Sequence, residues 1–170
     1  TRTSWTDIDG NFHTNPMQTD LLDLAFFSSR GPAISSSQGT KPNITAPGSS
    51  LISMYSHDAD VEGEERMFLI DDDHFIMEGT SMSSPHVTGI VALMFQANPA
   101  IDVSKVIKYL QDTAKSDAFT GTVPNDDWGY GKVDAKAVVA AVVADSAAGS
   151  CSVIEAKYSS GLFVLAAVAI

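Results

Sequence analysis

The sequence predicts an α/β domain with a buried helix near its centre, and three patterns support this prediction. Residues 87–95 form an apolar run with no polar face, which is typical of a helix inside a domain. Two further helical patterns follow this run, and short extended segments bounded by turn residues precede it. A chain of 170 residues is long enough for one domain with its own core.

The composition and net charge of the chain exclude several classes of function. The chain is 44% hydrophobic and 18% charged, as expected for a folded soluble protein. Its net charge of -11 argues against nucleic acid as a partner, because phosphate binding depends on clustered Lys and Arg. The single cysteine, Cys151, excludes an internal disulfide and a multi-cysteine zinc site. The first seven residues show no signal-peptide pattern.

The first elements are predicted to be extended. Residues 6–12 contain Asp-Gly and Gly-Asn, which favour a turn between two strands. The same stretch also matches the first ligand positions of a calcium-binding loop, with Asp7, Asp9 and Asn11, but the further ligands that such a loop needs are not found. We therefore predict a hairpin turn. Residues 21–27 are predicted to form a short buried strand that leads into a loop.

Residues 41–48 use two prolines to hold the backbone extended and then turn it. The next segment, residues 56–78, carries most of the net negative charge of the chain. We interpret it as a solvated loop. The alternative is a divalent-cation site, with calcium held by the carboxylates of Asp71, Asp72 and Asp73.

Three helices are predicted after this segment. The first starts near Ser81 and ends at residues 97–99, where a proline limits it. The second has Asp102 as its N-cap. Its buried face is predicted from the i, i+3, i+4, i+7 spacing of Val103, Val106, Ile107 and Leu110. The third helix is predicted over residues 133–143.

Ser81 has two interpretations. It precedes an apolar helix, with Pro85 predicted near the first turn, so its hydroxyl is either a helix cap or a nucleophile. Unpaired amides at a helix start suit a nucleophile, because they hold the oxyanion of a tetrahedral intermediate. Gly79 and Thr80 fit this second interpretation, since a glycine before the serine lets a substrate backbone approach. Spacing alone leaves both interpretations open.

The amino-acid sequence of this motif is more specific than its spacing. The stretch GTSMSSPHVTG, residues 79–89, closely resembles the active-site serine signature of the subtilases, the subtilisin-like serine proteases. Similar resemblances occur in the family's order at FSSRGP (27–32), KPNITAPG (41–48) and WGYGKVDA (128–135). Together they cover roughly residues 20–143. The segment 56–78 is longer than is usual for the family.

The resemblance implies a three-layer α/β subtilisin-like fold with a mostly parallel sheet. Residues 1–143 would be the C-terminal portion of the catalytic domain, and residues 144–170 a linker and apolar tail. It also implies that Ser81 is the nucleophile and that its own amide is an oxyanion donor. Gly79, Thr80 and Met82 would complete the oxyanion and substrate-binding positions of this chain.

The family's Asp and His motifs and its oxyanion-hole Asn are not found, and we expect them upstream of residue 1. His86 is five residues from Ser81, about 140° around a helix, so we interpret it as structural. His13, His57 and His74, oriented by Asp71–Asp73, are the alternative bases. The chain alone is therefore predicted to be inactive.

The predicted partners are a protein or peptide substrate and the upstream part of the same protease. No cofactor or metal is expected to be required, although structural calcium is an option. The resemblance implies a secreted protein, extracellular or in the cell envelope. Residues 161–170 are apolar but too few to span a bilayer, so they suggest either a truncated membrane or envelope tether or a buried terminal strand.

Two other classes of protein stay open. A catalytically inactive subtilase-like binding module would have the same sequence over this stretch. An acidic calcium-dependent interaction domain would explain residues 56–78 but not the serine motif.

Overall fold

The computed structural model describes residues 4–15, 22–35 and 39–149. Their elements, in chain order, are β1 (Ser4–Thr6), β2 (Phe12–Thr14), β3 (Leu51–Met54), a 3-10 helix (Gly63–Phe68), β4 (Leu69–Asp71), β5 (His74–Met77), α1 (Thr80–Ala97), α2 (Val103–Asp112) and α3 (Ala135–Gly149). Helices and sheets occur together, as the predicted α/β class requires.

The strands form two small antiparallel sheets. β1 pairs with β2, and a three-stranded sheet has the order β3-β5-β4. In this second sheet Leu51 lies opposite Met77, so the end of β5 that leads into α1 pairs with the start of β3. An isolated parallel bridge joins Thr45 to Lys132.

The predicted hairpin turn at residues 6–12 is confirmed. The buried Asp7 carboxylate accepts hydrogen bonds from the amides of Asp9 (3.0 Å) and Asn11 (2.7 Å), the Asn11 side chain (3.1 Å) and His13 Nε2 (2.8 Å). These contacts, that with His13 first, lower the pKa of Asp7 to about 2. The carboxylate thus organises the turn through four donors of its own chain.

The acidic segment is not the solvated loop that we predicted. Its second half forms the 3-10 helix, β4 and β5, because apolar residues lie between the acidic ones. Leu69 and Ile76 are buried, while the aspartates at the β4–β5 turn are exposed. The hairpin packs against this segment: Trp5 donates to the carbonyl of Met67 at 2.8 Å and stacks on Phe68.

The main core lies among the three helices. Its fully buried members are Met94 of α1 and Val138 and Val142 of α3, with Val106 and Leu110 from α2. The predicted N-cap is confirmed, since the Asp102 carboxylate accepts from the Lys105 amide at 2.8 Å. The prediction of the buried face of α2 is wrong for two of its four residues. Val103 and Ile107 are 68% and 46% exposed because they lie on the margins of the stripe centred on Val106 and Leu110.

Helix α1 is enclosed on one side only within the described residues, although we predicted a helix buried all round. Val87, Ile90, Val91 and Met94 face the core, whereas the opposite side is exposed, with Phe95 39% accessible. The exposed side also carries apolar side chains, Leu93 and Phe95, which the described part of the chain leaves accessible.

The predicted strand at residues 21–27 is wrong over its described part, residues 22–27. These residues form turns, in which Asp23 accepts from the amide of Leu24 at 2.7 Å and Ser28 donates its amide to the carbonyl of Ala25 at 3.0 Å. A local hydrogen bond to an Asp side chain competes with strand pairing.

The third helix starts and ends later than we predicted. It begins at Ala135, where the Asp134 carboxylate accepts from the Ala137 amide at 3.0 Å, and it continues beyond residue 143 to Gly149. Among the described helices, none combines the length and the apolarity needed to cross a membrane. Cys151 and the apolar stretch 161–170 lie outside the described residues, and the boundary at residue 144 stays a prediction.

Candidate active site around Ser81

Ser81 is positioned by a sharp connection between β5 and α1. Gly79 has φ 142° and ψ 164°, a conformation that essentially only glycine adopts. Its amide donates to the carbonyl of Gly48 at 2.8 Å, and its carbonyl accepts from the amide of Met82 at 3.0 Å. These two bonds fix the chain direction just before the serine.

A second contact holds the first turns of α1 against the loop at residues 46–48. Ser83 donates its hydroxyl to the carbonyl of Ala46 at 3.0 Å. A Cβ atom at Gly48 would overlap the Ser83 hydroxyl and would come within 2.8 Å of the Gly79 carbonyl oxygen. Only a glycine at position 48 therefore allows the loop to pack this closely against the serine helix.

Ser81 is exposed and is the second residue of α1. The N-cap position belongs to Gly79, which has no capping side chain, so the interpretation of Ser81 as a helix cap is wrong. Within the described residues its hydroxyl makes no hydrogen bond to another side chain. The first amides of a helix have no partner inside it and carry the positive end of the helix dipole, so Ser81 lies where negative charge is stabilised.

Pro85 is the sixth residue of α1, in its second turn and not near its first as we predicted, because the helix begins at Thr80, one residue earlier than predicted. At this position a proline supplies no N–H to the carbonyl of Ser81 four residues earlier.

The structure places the other predicted site residues around Ser81. Gly79 precedes it in the connection, and Thr80 is exposed at the first helical position. Met82 is partly buried, and its thioether is 3.8 Å from where a Cβ of Gly79 would lie. Their assignment to oxyanion and substrate binding stays a prediction.

A cavity of about 480 Å³ lies beside this connection. Its wall on α1 comprises Thr80, Ser83, Ser84 and Val87, and the loops at residues 22–29 and 42–49 form much of the rest. Ser81 does not line it. The cavity therefore flanks the helix start and borders the proposed site through Thr80.

Lys132 lines this cavity and was not predicted as a site residue from the sequence. Its ammonium lies 2.7 Å from Asp117 and 4.7 Å from the ring centre of Trp128, so it combines an ion pair with a cation–π contact. The contact with Asp117 lowers the pKa of that carboxyl. The glycine-rich stretch around Trp128 was the signal available, but it does not indicate where a lysine side chain ends.

The histidines do not meet Ser81 within the described residues. His86 donates from Nδ1 to the carbonyl of Met82 at 2.8 Å, which agrees with a structural role. Each of the alternative bases contacts an aspartate: His13 with Asp7, His57 with Asp73 and His74 with Asp71, all at 2.8 Å. In the described part of the chain, then, no histidine hydrogen-bonds to the serine.

The proposed calcium ligands lie at the end of β4, which Asp71 closes, and on the following turn, which consists of Asp72 and Asp73. The pKa of Asp71 is lowered, first by a hydrogen bond from the Asp73 amide and then by one from His74. In the residues that the structure describes, no group of three or more His, Cys, Asp or Glu side chains is gathered around one point as a metal centre would require.

The comparison with known families identifies the class of protein. The model of the Subtilase family matches residues 18–131, which include the Ser81 connection and helices α1 and α2. The chain belongs to the subtilase family.

Individual relatives are serine proteases. The chain is 34% identical over 122 residues to serine protease AprX of Bacillus subtilis, covering 72% of this chain and 26% of that protein. It is also 34% identical over 135 residues to pyrolysin of Pyrococcus furiosus, covering 72% of this chain and 8% of pyrolysin. The chain thus spans about a quarter or less of these relatives.

Solved structures support the same fold. The chain resembles the CspB protease of Clostridium perfringens with a TM-score of 0.55 and 28% identity, over 71% of this chain and 23% of that one. The predicted subtilisin-like α/β fold is confirmed by this likeness, and the chain corresponds to part of it. The mostly parallel sheet is not seen in the described part, where both sheets are antiparallel.

Proposed function

We propose that this chain carries the nucleophile of a serine endopeptidase and that Ser81 forms an acyl-enzyme with the substrate. The observation that supports this most is the exposed Ser81 hydroxyl in the first turn of an 18-residue helix, without a capping role. Membership of a family whose relatives are serine proteases supports the reaction class.

The proposed chemistry follows from this placement. Ser81 Oγ attacks the carbonyl carbon of the peptide bond while a general base takes its proton. The amide of Ser81 then donates to the oxyanion, with Thr80 beside it, and Gly79 leaves room for the substrate backbone. When the intermediate collapses, the base returns the proton to the leaving amine. Water then hydrolyses the ester and frees Ser81.

The general base and its aspartate are proposed to come from a segment upstream of residue 1. No described histidine hydrogen-bonds to Ser81, and the matched part of this chain covers only 26% of AprX and 8% of pyrolysin. The exposed apolar side of α1, which includes Leu93 and Phe95, is suited to pack against such a segment. A secreted location and a tether through residues 161–170 stay predictions.

Oxidation of Met82 tests the placement of the site. In the complete protein, mild peroxide is expected to lower kcat on an unfolded protein substrate, because a bulkier, polar sulfoxide would lie next to the reacting carbonyl. Met82→Ala should make the enzyme resistant. Peptide mapping would show whether loss of activity follows oxidation of Met82 or of the exposed Met54, which serves as an internal control. Full turnover with Met82 completely oxidised would remove this residue from the site.

Calcium binding by Asp71–Asp73 is a separate proposal about stability. If these carboxylates hold calcium, millimolar calcium should raise the Tm of the complete protein, because a ligand that binds only the folded state stabilises it. Asp71→Asn should abolish the increase, while Glu64→Gln, which removes one exposed charge nearby in the chain, should keep it. An unchanged Tm in calcium would contradict the proposal.

A further inference from the structure

An acidic side chain lies on the surface immediately before the serine helix. Glu78 is in the two-residue connection between β5 and α1, three residues before Ser81, and both residues are exposed. Three residues of backbone span at most about 10 Å, so the Cα atoms of these two exposed residues lie no further apart than this distance. The proposed catalytic steps make no use of Glu78.

Hydrogen bonds hold this carboxylate in place. Its Oε2 atom accepts from the side-chain amide of Asn15 at 2.9 Å and, more weakly, from the hydroxyl of Ser49 at 3.4 Å. The same Asn15 amide donates to the hydroxyl of Ser50 at 2.9 Å. Ser50 is 2% exposed and has φ 46°, a rare value for a residue other than glycine. Glu78 is thus attached to a buried, conformationally fixed point of the loop before β3.

The charge of Glu78 has no cationic neighbour among the described residues. No described lysine or arginine has a side-chain nitrogen within 4.0 Å of the Glu78 carboxylate. The described basic residues that form ion pairs form them with other acidic residues. Their partners are Arg30 with Asp127, Arg66 with Asp9, Lys105 with Asp145, Lys108 with Asp112, Lys115 with Asp134 and Lys132 with Asp117. Oε1 of Glu78 also accepts no hydrogen bond within the described residues. The carboxylate therefore carries a negative charge close in the chain to the nucleophile, and no described lysine or arginine forms an ion pair with it.

We propose that Glu78 determines specificity by favouring peptides with Lys or Arg within three residues of the cleaved bond; this inference rests on the proposed peptidase function. A bound peptide extends by about 3.3 Å per residue. A basic residue two or three positions from the reacting carbonyl therefore lies about 7 to 10 Å from Ser81 along the peptide, a distance similar to that between Glu78 and Ser81. This range is close to the Debye length of about 8 to 10 Å at moderate salt, so the attraction is only partly screened. An acidic side chain at the same substrate position would be repelled.

The test uses the complete protein and matched fluorogenic peptides that carry either Lys or Glu at each of three positions on both sides of the cleaved bond. At one position at least, kcat/KM for the Lys peptide should exceed that for the Glu peptide by about threefold to tenfold, as expected for one charge pair in water-like surroundings. Glu78→Gln should bring the ratio close to one. Added salt of about 0.5 M should reduce the ratio for the wild type.

Two features of the design separate specificity from folding. Glutamine at position 78 keeps an acceptor for Asn15 and Ser49, so the melting temperature should change little while the ratio changes. Asp58→Asn removes the same charge beyond the Met54 end of the β3–β5 ladder, opposite to the end next to Glu78, and should leave the ratio as in the wild type.

The outcomes also separate this inference from the proposed function. Hydrolysis with the same Lys-to-Glu ratios in Glu78→Gln and wild type would overturn the role of Glu78 and leave the peptidase intact. An equal fall of the ratio in Asp58→Asn would also overturn it, because the effect would then come from net charge. Absence of hydrolysis for every peptide would instead contradict the proposed function.

Discussion

Replacing Ser81 by alanine in the complete protein is expected to lower peptide hydrolysis by roughly a million-fold in kcat, because no other group would form the acyl-enzyme. The fold should survive. Ser81 is exposed and contributes no core volume, so the free energy of unfolding should change by less than about 0.5 kcal/mol. Turnover of a peptide substrate and urea unfolding of the same preparation measure the two quantities.

A matched control for this experiment is Ser104→Ala, which removes another exposed serine hydroxyl from a helix, α2. It should retain full activity. Residual turnover of Ser81→Ala near the wild-type value would contradict the proposed role of the serine, whereas a large loss of stability would indicate that its hydroxyl is structural.

The second large effect is expected from Gly129→Ala. Gly129 has φ 58°, and a Cβ atom there would overlap the carbonyl oxygen of Pro42 and lie 2.7 Å from that of Asn43. These are rigid backbone atoms of the segment that continues to the loop supporting α1. The added methyl group combines backbone strain with a backbone clash, so we expect the complete protein to lose more than about 4 kcal/mol of stability or to fail to fold.

Gly121→Ala separates the two causes. Gly121 has nearly the same φ, 61°, but a Cβ atom there would meet nothing within 4 Å. This variant should lose only about 1 to 2 kcal/mol, the cost of the left-handed conformation. Urea unfolding of both variants gives the comparison. Equal losses in the two would show that packing against residues 42–43 contributes nothing.

Local sequence signals predicted the local features well. The Asp102 cap and the hairpin at residues 6–12 depend on side chains that bond to amides two to four residues away, and such bonds are readable from spacing. The position of Ser81 at a helix start came from its motif, and the boundary was wrong by one residue because Gly79 provides the cap.

Features that depend on distant partners were harder to predict. Residues 22–27 have strand composition but form turns, and the apolar residues of the acidic segment form strands only because β3 pairs with β5 across more than 20 residues. The position of Glu78 relative to Asn15 likewise depends on a contact 63 residues apart. Neither spacing nor charge in the sequence indicates such pairings.

Ser81 is proposed to be a nucleophile whose general base lies in another segment of the protease. Labelling with a fluorophosphonate probe tests this proposal, because the probe reacts with a serine that has been activated by a base. We expect rapid labelling of Ser81 in the complete protein and little or none in residues 1–170 alone, with Ser81→Ala as the blank for both. Equal labelling of Ser81 in the isolated chain would contradict the claim, since the chain would then contain its own base, and so would absence of labelling in the complete protein.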